Sequence, residues 1–306
     1  MSLSEDLRHE LAAIAPRSAC DRLAELSGLF HSAGSVHLRG RGEVSVHLDV
    51  ANPAVARRAF SLLRGFGVAS EIRTYRRRAF EGGTRYQLHV AGDGHALQVL
   101  NEAGVLSGRL TPLEHPPRRV VSRACCRGAY VRGALLGGGS LSGPRSPHLE
   151  IRSAGPDGAT FLARLAGEEG VAMGVLDRGR HAVAYAKGME TIADVLGLAG
   201  ASRTVLLFEE RAVVAATRSR ANRLANADHA NLVRTSRAAH EQLRAVERLR
   251  RTGVLQKLSP DLQEIAELRV RHPTLPLREL ALKCRPPATK ASAHRRLRKL
   301  VQLAST

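Results

Sequence analysis

Thr289, Lys290, Ser292, His294, Arg295, Arg296, Arg298 and Lys299 fall within about three turns of a single helix. Cations and hydroxyls at that density suit nucleic acid. Ammonium and guanidinium groups neutralise phosphates, and the Arg fork matches the acceptor edge of guanine. Lys290, Ser292 and Arg295, nearest the helix start, are candidates to read bases, with Thr289 as the cap. Arg296, Arg298 and Lys299 are candidates for phosphates, and His294 stays open between the two roles. A solvated basic helix end would also use these cations, because they favour a helix C-terminus.

A second possibility is metal chemistry. Asp49 and Glu150 lie in the matching stretches His47-Leu48-Asp49-Val50 and His148-Leu149-Glu150-Ile151. Paired carboxylates hold divalent ions in phosphodiester cleavage. These two sit on expected strands, where a solvated or ion-paired position accounts for them as well. Cys20, Cys125, Cys126 and Cys284 are scattered without CxxC spacing. That argues against a zinc site, an iron–sulfur cluster or a disulfide framework, and suits a reducing cytoplasm. Cys125-Cys126 reads as small-residue packing at a helix start. Gly137-Gly138-Gly139-Ser140 lacks the Lys-[Ser/Thr] of a phosphate loop and ends a helix rather than opening one. The histidines show neither HxxxH nor HExxH. No metal or other cofactor is expected.

Charge supports the first possibility. The 306 residues carry 47 Lys+Arg against 28 Asp+Glu, a net +19. Residues 217–306 hold 20 and 7 of these, and Glu279 is the last acid. The basicity is thus concentrated where the candidate helix lies, and a polyanion is the expected partner. Aromatics are 3% with no Trp. Single strands are gripped by stacking rings, so duplex DNA fits better. No apolar run reaches eighteen residues, which argues against a membrane-spanning helix. The acidic start, Met-Ser-Leu-Ser-Glu-Asp, does not read as a secretory leader.

The elements that must position these residues begin with a repeat. Leu26–Ser35 recurs as Val131–Ser140 at an offset of 105, which also places Cys20 on Cys125. The 47–50 and 148–151 stretches match at 101, and the difference falls in a hairpin turn, Arg39-Gly40-Arg41-Gly42 or Gly143-Pro144. Ala59-Phe60 through Gly67-Val68 matches Thr160-Phe161 through Gly170-Val171. Each copy reads as αββαββα: helices at about 19–33 and 123–138, then a hairpin containing Val44–Leu48 in the first copy. Helices at about 53–65 and 156–168 follow, closed by Gly67 and Gly170 as C-caps. Strands Glu71–Ala79 with Arg85–Val90, and Met173–Arg178 with His181–Ala186, precede short helices at about 94–102 and 189–197.

Residues 1–216 form the duplicated domain, with copies at about 1–117 and 118–216. Residues 217–230 are the expected connector, and 231–306 an all-α domain. There, a helix at about 228–251 places Leu232, Ala239, Leu243, Val246 and Leu249 at helical spacing. Ser259-Pro260 opens a helix to about Arg271. Leu277–Lys283, a tight turn at Cys284-Arg285-Pro286-Pro287, and a final helix capped by Thr289 and reaching about Gln302 make a helix-turn-helix pattern. Ala293, Leu297, Leu300 and Val301 form its buried stripe.

Leu26-Ser27-Gly28-Leu29-Phe30-His31-Ser32-Ala33-Gly34 resembles the LAGLIDADG motif of homing endonucleases, and Val131–Gly139 is a second, looser copy. That resemblance implies two motif helices packed at a pseudo-dyad, with Gly28, Gly34, Gly133 and Gly139 permitting close approach. It also implies a metal-binding acid at the eighth motif position. Ala33 and Gly138 stand there, so the scaffold is expected without its catalyst.

With Ala129–Ala134, Gly138-Gly139-Ser140, Asn222-Arg223, Asn226, Ala230-Asn231-Leu232, Pro286-Pro287, Lys290 and His294–Leu300, the chain resembles the WhiA family over essentially its whole length. The resemblance implies an α+β protein, a duplicated LAGLIDADG-like domain followed by a helix-turn-helix. It implies a cytoplasmic, nucleoid-associated transcription factor of sporulation and cell-division genes. It further implies double-stranded DNA as partner, alongside a WhiB-like iron–sulfur regulator and the transcription machinery. Two other readings remain: an active endonuclease, and an N-terminal domain that senses a ligand or a protein partner.

Overall fold

The computed structural model describes residues 2–38, 43–76 and 83–305. The chain divides into two compact units, Met1–Ala216 and Thr217–Thr306. The first opens with α1 (Leu3–Ala13), which sequence reasoning did not anticipate. Its signals are a capping box, Ser2 with Glu5, and Leu3, Leu7 and Leu11 buried along one face.

The first copy then runs α2 (Ala19–Ala33), β1 (Gly34–Leu38), β2 (Val44–Val50), α3 (Pro53–Gly65), β3 (Glu71–Arg76), β4 (Thr84–Ala91) and α4 (Gly94–Glu102). The second repeats it as α5 (Ala124–Gly138), β5 (Gly139–Leu141), β6 (His148–Ser153), α6 (Pro156–Glu168), β7 (Gly174–Asp177), β8 (Ala182–Lys187) and α7 (Met189–Ala199). The sheets are antiparallel, in the orders β1-β2-β4-β3 and β5-β6-β8-β7. Thus the αββαββα expectation holds in both copies. The Arg39–Gly42 turn and the Arg77–Ala79 end of the expected strand lie outside the described residues. Gly67 and Gly170 end α3 and α6 with φ of +74° and +80°, the left-handed geometry that favours glycine.

Leu26, Leu29, Val131 and Leu135 of the motif helices share one core with Leu48, Leu88, Leu149 and Ile151 of the sheets. Phe30, Tyr130, Phe161 and Phe208 are buried in the same core.

The segment expected as a connector is helical. Ser202–Arg251 is one helix of 50 residues, α8, and neither Gly nor Pro interrupts it. Its start is capped from α1, where the Glu10 carboxylate accepts from the backbone N–H of Arg203 and Thr204, both at 2.7 Å. Leu232, expected at helical spacing with Val246 and Leu249, is 65% exposed, and the residues of 217–231 before it are exposed too, Leu224 included. Burial on that helix resumes at Gln242, Ala245, Val246 and Leu249.

In the second unit, α9 (Pro260–Arg271), α10 (Leu277–Leu282) and α11 (Lys290–Ser305) follow. They close over Val246, Leu249, Ile265, Leu280, Leu297 and Leu300.

Candidate nucleic-acid interface

The face of α11 opposite its buried stripe carries the cations. Ala293, Leu297, Leu300 and Ala304 are buried, while Val301 is only half-buried; the helix runs about a turn past the expected end. Thr289 caps it, its Oγ accepting from the Ser292 N–H at 3.2 Å. Ser292 is half-buried beside this cap. Lys290, His294, Arg295, Arg298 and Lys299 are exposed, and no acid lies on the helix. With the helix N-terminal dipole, this face presents positive potential along its first three turns.

Arg296 departs from the other cations. It is half-buried and pairs with Asp261 of α9 at 2.9 Å, so it joins α11 to α9 instead of facing outward with them. Two further residues, missed in the sequence, set the position of α10 and the turn. Arg269 is 2% exposed and donates to the carbonyl of Leu275 at 2.8 Å, with longer bonds to His272 and Pro273. Glu264 accepts from the Arg285 N–H at 2.7 Å, fixing the turn before α11. A buried arginine on three loop carbonyls has no periodicity signature, so only the fold could expose it.

In the first unit, α2 and α5 pack through glycines. A Cβ on Gly28 would lie 2.2 Å from the Tyr130 carbonyl oxygen, and one on Gly133 would lie 2.1 Å from that of Glu25. Gly34 and Gly139 serve differently. They start the strands after each motif helix, and a Cβ there would sit 2.4 Å from the carbonyl oxygens of Phe30 and Leu135 within the same copy. Beside the crossing, fully buried Glu25 binds Arg58 of α3 at 2.6 Å and Arg132 of α5 at 2.9 Å. Opposite charges on three helices satisfy one another there.

His31 is also buried at this crossing. Its Nε2 donates to the Gly104 carbonyl at 3.1 Å, and its Nδ1 accepts from the Tyr130 hydroxyl at 3.2 Å. Burial holds its pKa down at about 4, so it is neutral at physiological pH.

Ala33 and Gly138, at the C-terminal ends of the motif helices, line a cleft of about 550 Å³. Neither offers a ligand atom. Asp49 and Glu150 also line it, but both are engaged by arginines. Asp49 pairs with Arg85 and accepts from the Tyr75 hydroxyl; Glu150 pairs with Arg178 and with His148 at 2.7 Å. Arg8 donates to the Gly139 carbonyl at 2.7 Å on the same wall. Guanidinium groups therefore occupy the carboxylates that a divalent ion would need.

Three of the four cysteines are not scattered as their spacing suggested, and Cys284 lies apart in the second unit. Cys20 and Asp21 open α2, Cys125 and Cys126 open α5, and the helix pairing brings all four together. The Ser18 hydroxyl and the Cys126 thiol hold the Cys20 thiol below its ordinary pKa, while burial pushes that of Cys126 up to about 12.

Three family models match the chain in succession. Residues 19–106 match the WhiA N-terminal LAGLIDADG-like domain, 127–218 the WhiA LAGLIDADG-like domain, and 221–304 the WhiA C-terminal HTH domain. The probable cell division protein WhiA of Symbiobacterium thermophilum is 34% identical over 310 residues, spanning 100% of this chain and 98% of its own. The chain belongs to the WhiA family. Its relative of the same description in Desulforudis audaxviator is 35% identical over 306 residues, covering 99% of this chain and 97% of that one. The crystal structure of full-length WhiA from Thermatoga maritima superposes with a TM-score of 0.58 at 20% identity, over 100% of this chain and 98% of that one. The family assignment and the duplicated α+β fold with a helix-turn-helix are as the residues suggested. Among the described residues, no helix is long and apolar enough to cross a membrane.

Proposed function

We propose that this chain is a sequence-specific, double-stranded-DNA-binding transcriptional regulator of sporulation and cell-division genes, without nuclease activity. The observation that carries the proposal is the acid-free outer face of α11, with Lys290, His294, Arg295, Arg298 and Lys299 exposed opposite a buried apolar stripe. In a helix-turn-helix, the start of the second helix meets base edges and the flanking cations meet phosphates. Lys290 and Arg295 take the first role, with Ser292 beside them at the rim. Arg298 and Lys299 take the second. Arg296, paired with Asp261, orients the helix; Thr289 caps it.

The absence of ligand atoms at Ala33 and Gly138, and the arginines on Asp49 and Glu150, support a scaffold without cleavage chemistry. The relatives' description as probable cell division proteins supports the biological setting. A WhiB-like iron–sulfur regulator and the transcription machinery are the proposed partners, and the nucleoid the proposed location.

Full-length protein should bind a preferred genomic duplex with an affinity that falls steeply with salt, because each neutralised phosphate releases counterions. It should leave supercoiled plasmid intact with Mg²⁺ or Mn²⁺. Metal-dependent nicking lost on Asp49→Asn or Glu150→Gln would instead make this chain an enzyme.

A further inference from the structure

The helix pairing that sets Ala33 beside Gly138 has a second consequence at the opposite end. Gly133 meets Glu25 and Leu29 while Gly137, one turn on, meets Leu29, Ser32 and Ala33, so α2 and α5 run in the same direction. Their first turns therefore come together. The repeat places Cys20 on Cys125 and Asp21 on Cys126, giving two pseudo-symmetric pairs of donors. One ligand atom from each of the four residues lies within 4.8 Å of every other. Cys20 Sγ is 3.9 Å from an Asp21 carboxylate oxygen, and the Cys125 and Cys126 sulfurs are 3.9 Å apart.

Those separations have a chemical meaning. A tetrahedral zinc ion, with Zn–S bonds of about 2.3 Å and Zn–O bonds of about 2.0–2.2 Å, spaces its ligand atoms about 3.5–3.8 Å apart. The two pairs at 3.9 Å already lie close to that figure, and no pair of the four exceeds 4.8 Å, so closing on an ion asks for at most about 1 Å of contraction. A multi-iron cluster would need its cysteines spread around a larger core. Three sulfurs and one oxygen form a soft set, which selects zinc over magnesium or manganese.

The surroundings favour an ion as well. Cys20, Asp21, Cys125 and Cys126 all lie in the first turns of their helices, and a bound Zn²⁺ would itself deprotonate the thiols, the buried Cys126 included. The Ser18 hydroxyl, 3.2 Å from Cys20 Sγ, is placed to hydrogen-bond a ligating sulfur. Cys126 is buried while Cys125 is exposed, so the group has an inner anchor and an open side for entry.

We propose that Cys20, Asp21, Cys125 and Cys126 form a mononuclear tetrahedral zinc site that clamps the N-terminal ends of the two motif helices. The site lies at the far end of α2 and α5 from Ala33 and Gly138. It is thus independent of any nuclease ancestry of the cleft, and its ion would be structural.

The test uses full-length protein, reduced, freed of metal by a chelator and titrated anaerobically with Co²⁺. One equivalent should give intense visible bands of tetrahedral Co²⁺ and a near-ultraviolet thiolate charge-transfer band. One equivalent of Zn²⁺ should displace it and raise Tm. Cys125→Ser, an exposed position that spares the core, should lower the charge-transfer intensity by about a third, from three thiolates to two. It should also weaken binding by more than about 10-fold, the loss that even outer-shell changes produce. Asp21→Asn should weaken binding and leave the charge-transfer intensity unchanged. Cys284→Ala, in the other unit, should change neither. The proposal is overturned by weak octahedral Co²⁺ spectra, by sub-stoichiometric binding, or by binding that survives both Cys125→Ser and Asp21→Asn. A disulfide among Cys20, Cys125 and Cys126 in protein isolated without oxidant would also overturn it.

Discussion

Replacing Gly133 by Ala adds one methyl group at the place where α2 and α5 touch. Its Cβ would lie 2.1 Å from the Glu25 carbonyl oxygen and 3.0 Å from the Leu29 nitrogen. Both are backbone atoms of a helix, so no rotamer change relieves the overlap. Restoring ordinary contact near 3.5 Å requires the backbones to separate by about 1.4 Å. A radial gap of that order forfeits a quarter to a half or more of each dispersion contact along the crossing. It also stretches the Glu25–Arg132 pair. Overpacking costs about 1–3 kcal/mol before those losses. Better helix propensity returns about 0.5–1 kcal/mol. The net expectation is a destabilisation of about 2 kcal/mol or more. For a unit of this size that lowers Tm by roughly 4–8 °C. Gly28→Ala should behave alike, since its Cβ meets the Tyr130 carbonyl oxygen at 2.2 Å. Gly167→Ala in α6 is the control: no atom lies within 4 Å, so it should stabilise by about 0.4–1 kcal/mol. The assay is thermal unfolding of the three variants by circular dichroism. If Gly28→Ala and Gly133→Ala melt at or above the parent while Gly167→Ala rises as expected, the close crossing is wrong.

Other expectations follow from neighbouring contacts. Glu25→Ala leaves Arg58 and Arg132 without their buried partner and should cost about 3–5 kcal/mol in urea unfolding. His31 has its folded pKa depressed to about 4, from 6.5. Its contribution is therefore full above about pH 6.5 and is lost as pH falls towards 4, by roughly 3 kcal/mol. His31→Gln should be less stable at pH 7 yet lose less between pH 7 and 4 than the parent; equal losses would contradict a buried neutral imidazole. Aspartates placed together at Ala33 and Gly138 should not create Mg²⁺-dependent nicking, because a Cβ at 138 already meets the Arg152 carbonyl oxygen at 2.8 Å. Arg298→Ala and Lys299→Ala should each weaken all duplexes about equally and flatten the salt slope by about one unit. Arg296→Ala should lower stability by no more than about 1 kcal/mol, as its partner Asp261 is 64% exposed.

The features legible in the sequence were those written in local spacing. The recurring Gly28 and Gly133 marked the helix crossing, and Gly67 and Gly170 marked helix ends. Thr289 with the 293–297–300 stripe gave the last helix and its outer face. What escaped depended on long-range contact or on its absence. Cys20 and Cys125 meet only because two helices pair, and no spacing rule for metal ligands spans that separation. Arg296 has the residue type of a phosphate contact, but Asp261 on another helix claims it. Leu232 keeps helical periodicity in a stretch with nothing to bury against. The Arg- and Asn-rich 217–230 segment resembled a connector by composition, although the lack of Gly and Pro leaves a helix unopposed. For α1 the signals, Ser2 with Glu5 and the Leu3–Leu7–Leu11 spacing, are local and stand in the sequence.

The central claim, that α11 reads duplex DNA, is tested most directly with Arg295→Ala in the full-length protein. Its affinity is measured against the parent's on a preferred genomic duplex and a scrambled one, at two salt concentrations. The account predicts a loss of about 1–3 kcal/mol on the preferred duplex, little change on the scrambled one, and relaxed discrimination at one base pair. Equal losses on both duplexes would make Arg295 a phosphate contact, and no loss on either would remove α11 from the DNA interface.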